Sequence, residues 1–217
     1  TFCFACIIFV RPSIFDPTQL PNMFSPDTYQ TRRTALANQF SDQGILLFVG
    51  NDESAMNYRD NVYRFRQDSS FLYFFGLDRP GLFATIDTAT GEATLFGEEM
   101  TIDHVIWMGP QLSLAEMAAS AGGMNTGSLE QLPSTISSAK NSGRKIHFLP
   151  PYRGEHTITL TKLLHSSIAE VENGASEALI KSIVSLRSVK SDEELVQLEQ
   201  ACTRTANMHM TGIRTAR

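Results

Sequence analysis

Acidic and imidazole side chains cluster near the middle of the sequence, at Glu98, Glu99, Asp103 and His104. Because carboxylates and imidazoles are metal ligands, this cluster is a candidate metal site. One histidine on a short turn is weak evidence for such a site, and the favoured interpretation is a solvated exit from a hairpin. Three further histidines have no partner at ligand spacing: His147, His156 and His165.

A polar block leads directly into an aromatic run at residues 71–76. The block consists of Arg66, Gln67 and Asp68, and such side chains enter a core only with a dedicated set of hydrogen bonds. The run is rich in phenylalanine and ends at a glycine, which predicts a buried strand. We therefore expect the block to be a built feature that feeds this strand. A surface loop followed by a core strand is the alternative.

The composition is typical of a soluble globular protein, with 217 residues of which 42% are hydrophobic and 19% are charged. This length holds one large or two small domains. The net charge of −5 and the lack of a basic tract disfavour a nucleic-acid partner. Three cysteines cannot form a disulfide framework for a chain of this size, which favours a reducing compartment. The C-x-x-C formed by Cys3 and Cys6 is a weak signal.

Strands and helices are predicted to alternate along the chain. Four apolar segments predict strands, at residues 45–49, 82–86, 93–96 and 145–149. A turn joins 82–86 to 93–96 and makes these two strands a hairpin. Capping residues predict helices that begin at Ser25, Ser113, Ser128 and Ser191. The first helix is expected to end at Gly44, and Pro133 is expected to interrupt the third early. Helical patterns also cover residues 158–165 and 176–186. This order predicts an α/β fold, a mixed β-sheet with helices on both faces.

The two ends of the sequence depart from this pattern. Residues 1–22 contain an apolar run too short to span a bilayer and lack the features of a signal peptide. We interpret them as an extension of uncertain origin and expect no membrane segment. The helix that begins at Ser191 has an apolar side with Leu195 and Leu198 and reaches Arg217 without a C-cap. The chain therefore looks cut, and we expect a further part of the protein to bury this helix.

Two separated segments carry a family resemblance. Residues 65–76, Phe-Arg-Gln-Asp-Ser-Ser-Phe-Leu-Tyr-Phe-Phe-Gly, resemble the signature of the N-terminal domain of aminopeptidase P. Residues 186–195, Leu-Arg-Ser-Val-Lys-Ser-Asp-Glu-Glu-Leu, are similar to the junction with the catalytic domain, and Ile-Trp-Met-Gly at 106–109 lies where the family carries Trp-x-Gly. The resemblance implies the creatinase/aminopeptidase P type of N-terminal domain over residues 23–186. Residues 187–217 would be the first helix of a truncated pita-bread catalytic domain.

The resemblance implies that the parent protein is an Xaa-Pro aminopeptidase, a metallopeptidase that releases an N-terminal residue preceding proline. Such enzymes hold two metal ions, usually Mn²⁺, between two aspartates, a histidine and two glutamates. None of these ligands can be assigned here, because they would lie beyond Arg217, so we expect this chain alone to bind no metal and to be inactive. It would limit access to the substrate cleft and help to build a cytoplasmic homodimer or homotetramer. Its partners would be its own catalytic domain and peptides with proline at the second position.

The resemblance also implies roles for individual residues. Asp60 would lie near the mouth of the catalytic pocket and pair with an arginine of the catalytic domain; a solvated loop aspartate or a turn cap is the alternative. Trp107 would reach the substrate pocket of its own or a neighbouring subunit, and a partly buried core tryptophan is the alternative. For Arg66, Gln67 and Asp68 we expect a structural role, in which an arginine–carboxylate pair and an amide hold the loop.

Two other functions remain open at this point. One is a prolidase or creatinase relative, which shares the architecture but acts on dipeptides or on creatine. The other is a peptide-binding scaffold without metals. Metal content and a comparison of Xaa-Pro dipeptides with longer peptides would distinguish them.

Overall fold

The computed structural model describes residues 23–58 and 61–216. The predicted extension over residues 1–22 and the C-x-x-C therefore lie outside the described residues. The strands, in chain order, are β1 Ile45–Val49, β2 Ala55–Tyr58, β3 Asn61–Val62, β4 Phe83–Asp87, β5 Ala93–Gly97, β6 Asn125–Ser128 and β7 Ile146–Phe148. The helices are α1 Pro26–Ala37, α2 Ser69–Phe75, α3 Ile102–Met108, α4 Leu114–Ser120, α5 Gln131–Asn141, α6 Gly154–Leu164, α7 Ile168–Asn173, α8 Glu177–Ser188 and α9 Asp192–Thr215.

Five strands form one mixed sheet in the order β6-β5-β4-β1-β7. The central pairs β1–β4 and β4–β5 are antiparallel, whereas β7 and β6 join the two sides in parallel. The strands β2 and β3 form a separate antiparallel pair. The predicted hairpin is therefore confirmed as β4–β5.

Both faces of the sheet are covered, as the sequence predicts. Side chains alternate along β1, so that Leu46 and Phe48 face one hydrophobic cluster while Ile45 and Leu47 face the other. The first cluster includes residues of α1, α2, α4 and α8, and the second includes residues of α5, α6 and α7. The mixed α/β fold is confirmed.

The aromatic run is a helix, so the predicted strand at residues 71–76 is wrong. The side chain of Asp68 caps α2 by accepting from the N–H groups of Ser70 and Phe71, both at 2.9 Å. Gly76 ends it with φ 69°, a left-handed conformation that favours glycine. The spacing of Phe71, Phe74 and Phe75 places the three rings on one helical face, where all are fully buried.

Three other predictions about helices need correction. The helix predicted from Ser128 begins at Gln131, and its N-cap residue Glu130 makes no side-chain cap hydrogen bond. The first helix ends at Ala37 and not at Gly44. Pro133 does not interrupt α5, because it is the third helical residue, where the N–H has no partner within the helix. The helix α3 was not predicted, although it covers most of the acidic and aromatic segment after the hairpin.

Arg33 joins the ends of two helices from inside the core. Its Nη1 donates to the carbonyls of Phe74 at 3.0 Å and Ala121 at 2.7 Å. Its Nη2 donates to the carbonyls of Gly122 and Gly123 at 3.3 and 3.2 Å. Burial lowers the pKa of Arg33 to about 10, so the guanidinium is still charged at neutral pH. The carbonyls left over at the ends of α2 and α4 are thus satisfied by one side chain.

Candidate functional site

The helix α3 displays a large apolar surface to solvent. Thr101 caps its start and Gly109, at φ 78°, follows its end. Trp107 is 85% exposed, and its neighbours Ile102 and Ile106 are 81% and 70% exposed. The alternative of a partly buried core tryptophan is therefore wrong. An exposed group of large apolar side chains is typical of a contact surface.

An acidic cleft of about 490 Å³ lies beside α3. Its carboxylates come from the segment after β1 and the segment after β5: Asp52, Glu53, Glu98 and Glu99. His104 lines the cleft from α3, and because Trp107 follows three residues later, the two side chains lie on one side of the helix. The cleft and the exposed surface of α3 are thus neighbours.

Among the residues that the structure describes, Arg79 is the one arginine or lysine that lines this cleft. Its guanidinium donates to the carbonyl of Leu112 at 3.2 Å and to that of Glu98 at 3.3 Å. Burial lowers the pKa of Arg79, and the negative charge of Glu99 acts in the opposite direction. These contacts hold Arg79 in the wall of the cleft. Since four carboxylates and one guanidinium line it, the lining is acidic in sum.

Gln67 connects the polar block to the same cleft. Its Oε1 accepts from the backbone N–H of Asn51 at 2.6 Å and of Asp68 at 2.9 Å, and its Nε2 donates to the carbonyl of Arg79 at 2.8 Å. One buried amide therefore ties the end of β1, the start of α2 and the loop that carries Arg79. These are contacts of the kind expected of a structural residue.

Arg66 and Asp68 do not form the expected pair. The side chain of Arg66 is exposed and pairs with no carboxylate in residues 23–58 and 61–216. Its carbonyl accepts from Nδ2 of Asn51 at 2.8 Å. Asp68 uses Oδ1 to cap α2. The loop is thus held by two amides, Gln67 and Asn51, and by a helix cap.

Asp60 lies outside the described residues, so its predicted place at a pocket mouth stays a prediction. The strands β2 and β3 lie on either side of it in sequence. The structure brings Gln67 and Arg79 together, and His104 of α3 lines the same cleft as Arg79.

A serine, a histidine and an aspartate also meet, away from this cleft. His147 Nδ1 is 2.7 Å from Ser176 Oγ, and Nε2 is 2.7 Å from Asp42 Oδ2. Ser176 is buried, and its hydroxyl caps α8 by accepting from the N–H of Leu179 at 3.3 Å. A buried hydroxyl committed to a helix cap is not placed to attack a substrate, so this set joins β7, α8 and the loop before β1.

Metal ligation finds no support in the part of the chain that the structure describes. Within it, no three His, Cys, Asp or Glu side chains come together in a group that could hold a metal ion. The carboxylates of the cleft therefore do not fit a dinuclear centre. In the same residues, no helix combines the length and the apolar character needed to cross a membrane.

Sequence reasoning missed Arg79 and Asn51. Arg79 lies in Gly-Leu-Asp-Arg-Pro at residues 76–80, between a buried helix and a buried strand. A cation in so short a connection is a signal that its side chain must find partners nearby. Asn51 lies two residues after the end of the fully apolar strand β1, where an amide commonly ties down the turn.

The mixed five-stranded sheet with helices on its two faces defines an α/β domain. A family model described as the N-terminal domain of aminopeptidase P matches residues 29–147, more than half of the chain. The chain belongs to this family.

Individual relatives agree with this assignment. A human Xaa-Pro dipeptidase is 37% identical over 65 residues, 30% of this chain and 13% of that protein. A probable Xaa-Pro aminopeptidase of Ajellomyces dermatitidis is 31% identical over 91 residues, 42% of this chain and 18% of that protein. The solved structure of zinc-substituted Escherichia coli aminopeptidase P in complex with product has a TM-score of 0.74 at 20% identity, over 89% of this chain and 46% of that one. The chain thus spans about half the length of the solved relative.

Proposed function

We propose that this chain is the substrate-access and oligomerisation region of an Xaa-Pro aminopeptidase, which releases an N-terminal residue preceding proline. The observation that carries this proposal is the family match over residues 29–147. Two metal ions, Mn²⁺ in our proposal, would be held by residues outside the described part of this chain. This chain alone would then be inactive.

The acidic cleft suits the protonated end of a peptide substrate. Four carboxylates around a cleft of about 490 Å³ would raise the local concentration of cations, including an N-terminal ammonium group. Trp107, on the adjoining helix, would supply a flat apolar wall that excludes water from the reacting peptide. Asp60 would lie near the mouth of the catalytic pocket and pair with an arginine of the catalytic domain.

Two surfaces would serve assembly. The apolar side chains of α3 would contact a second subunit, which is why we propose a homodimer or homotetramer. The helix α9 has no buried residue, and it is tied to the rest of the chain through its first turn. There Arg32 lies 3.5 Å from Glu194, and the hydroxyl of Thr28 donates to Glu193 at 2.8 Å. The free length of α9 would receive the catalytic domain.

The test is an assay of the complete protein that contains this chain, with Mn²⁺, on an Xaa-Pro-Yaa tripeptide and its Xaa-Ala-Yaa counterpart. We expect cleavage of the first peptide alone and about two metal ions per chain by elemental analysis. The Trp107→Ala variant should lower kcat/KM about tenfold, the effect of losing roughly 1.4 kcal/mol of contact energy. A complete protein without stoichiometric metal or proline-specific cleavage would overturn the proposal.

A dipeptidase is the second candidate. It is favoured by the 37% identity to the human Xaa-Pro dipeptidase. In that case Xaa-Pro dipeptides would be cleaved faster than Xaa-Pro-Yaa peptides by the same protein. A metal-free scaffold would cleave neither peptide while still binding them. We propose the cytoplasm as the compartment, because the chain has only three cysteines for 217 residues.

A further inference from the structure

A second cavity lies on the other side of α2, where the parallel strands β1 and β7 end. Its volume is about 350 Å³, which falls within the range of small-molecule sites. The carboxyl ends of parallel strands are the usual place for ligands in α/β sheets. Most of the wall is apolar, with Phe48 and Phe148 from the strands and Ile180, Ile183 and Val184 from α8.

The polar end of this cavity has one charged group. Asp68 and His156 line it, and no lysine or arginine is among the described residues that do so. Oδ1 of Asp68 is committed to the cap of α2, and the hydroxyl of Tyr152, in the same lining, is a further neighbour of this carboxylate. Burial lowers the pKa of His156, and the nearby Asp68 carboxylate opposes this effect. A neutral imidazole beside a carboxylate makes the end of the cavity negative at neutral pH.

His156 is also short of a hydrogen-bond partner. His156 is only 7% exposed, and its Nε2 atom has no hydrogen-bond partner within residues 23–58 and 61–216. Nε2 has almost no accessible surface, because its neighbours cover it. A ligand in this cavity would therefore contact the imidazole ring without bonding to Nε2.

We propose that this cavity binds a small apolar monocation, an ammonium group on an aliphatic or aromatic body. The ammonium would lie against Asp68 and beside the ring of His156, and its apolar body would lie between the phenylalanine rings and α8. An anion of the same shape would meet the carboxylate and find no cation among the described lining residues. The ligand could be a free amine or the N-terminal residue of a peptide. The site does not depend on peptidase activity.

The test titrates 2-phenylethylamine into the 217-residue chain at pH 7.5, with calorimetry and ¹⁵N NMR of the histidine rings. We expect one saturable site with a Kd on the order of 1 mM, as suits about nine heavy atoms. The Nε2 resonance of His156 should shift on saturation. Equal binding of 3-phenylpropionate, an anion of similar shape, would overturn the proposal.

Two variants decide whether the titration reports this cavity. Asp68→Asn keeps an oxygen that can cap α2 but removes the charge, and it should weaken binding at least about tenfold. Val184→Trp enlarges a side chain that is already largely exposed and should block the cavity without repacking the core. Asp78→Asn, on the exposed loop after α2, is the matched control and should bind normally. Unchanged affinity in Asp68→Asn and Val184→Trp would overturn the proposal.

The source of the ammonium group follows from a third titration. A tripeptide Phe-Pro-Ala is compared with its N-acetylated form, which has no charged amine. Binding of the free peptide alone supports a peptide end as ligand, whereas binding of 2-phenylethylamine without either peptide supports a free amine. Binding of the acetylated peptide as tightly as the free one would contradict the role of Asp68.

Discussion

Two helices of the same length and similar capping have opposite surroundings. Both α2 and α3 have seven residues, begin at a side-chain cap and end before a glycine with positive φ, 69° at Gly76 and 78° at Gly109. Both are rich in large apolar residues. Yet the phenylalanines of α2 are completely buried, whereas Trp107 and its neighbours on α3 face solvent.

The difference shows that the local sequence specifies where a helix forms, whereas tertiary contacts determine whether its apolar side is buried or exposed. The helix α2 is covered by α1, β1 and the Arg33 guanidinium, so that its apolar side stabilises the fold. The described residues offer α3 no such cover, so its apolar side is available to a partner or substrate. Most of the variants below change α2 and α3 at corresponding positions.

The largest expected difference is between truncating a ring in α2 and truncating the ring in α3. Phe74→Ala removes a fully buried side chain that packs against Phe48, with ring centroids 5.4 Å apart. We expect the free energy of unfolding to fall by about 3–5 kcal/mol. Trp107→Ala should change it by less than about 0.5 kcal/mol, because the side chain is exposed. Urea unfolding of both variants measures this.

Of the variants Phe74→Ala and Trp107→Ala, the one with the smaller effect on stability should have the more direct effect on function. In the complete protein, Trp107→Ala should lower peptide cleavage or weaken subunit association at unchanged stability. A loss of more than about 1 kcal/mol in Trp107→Ala would mean that α3 packs against this chain, and the contrast between the helices would not hold.

The next largest effect concerns the helix ends. Arg33→Met replaces the guanidinium that satisfies four carbonyls at the ends of α2 and α4. We expect a loss of about 2–4 kcal/mol in the free energy of unfolding, because buried carbonyls are left unpaired. Arg33→Lys keeps the charge but cannot reach four acceptors. Its free energy of unfolding should therefore lie between that of Arg33→Met and that of the parent protein. Equal stability of Arg33→Met and the parent would contradict this role.

The glycines that follow the two helices give a third comparison. A Cβ at Gly76 would lie 2.3 Å from the ring of Tyr29, whereas one at Gly109 would meet nothing within 4 Å. Both positions have positive φ, but ψ is 5° at Gly76 and 173° at Gly109. Backbone strain therefore costs an alanine about 1–2 kcal/mol at Gly76 and about 1–3 kcal/mol at Gly109. Gly76→Ala should cost at least about 1 kcal/mol more than Gly109→Ala, because Tyr29 is buried and cannot move aside. Chemical unfolding at one temperature measures both, and equal costs would contradict the close approach of α2 and α1.

The comparison also shows what the sequence could predict. Four of the five strands of the sheet, the hairpin and most helix starts follow from apolar runs and capping residues, and they are confirmed. The fifth strand, β6, is the polar segment Asn125–Ser128 and was not predicted. The strand predicted at residues 71–76 is wrong because five consecutive apolar residues have no period that separates a short helix from a strand. The cap at Asp68 and the stop at Gly76 were present in the sequence. Side-chain caps of the same kind predicted the starts of α1, α4 and α9 correctly.

The candidate site was less predictable, because it depends on distant residues. Gln67 was singled out, but its partners at Asn51 and Arg79 belong to segments that only the fold brings together. The exposure of Trp107 could not be derived either, since a lone tryptophan fits a core or a surface equally well. Apolar patterning thus predicts the layers, and the long-range polar contacts have to be observed.

The smallest expected effect separates the caps of the two helices. Asp68→Ala removes the oxygen that accepts from two N–H groups of α2, and it should lower the free energy of unfolding by about 1 kcal/mol. Thr101→Ala removes the corresponding cap of α3, whose oxygen accepts from the N–H of His104 at 3.3 Å. Because α3 makes few contacts that hold it in place, its loss should appear as local opening and leave global stability almost unchanged. Hydrogen exchange at the N–H groups of Val105 and Gly109 would show faster exchange in Thr101→Ala alone, and an equal global loss in both variants would mean that α3 folds as one unit with the core.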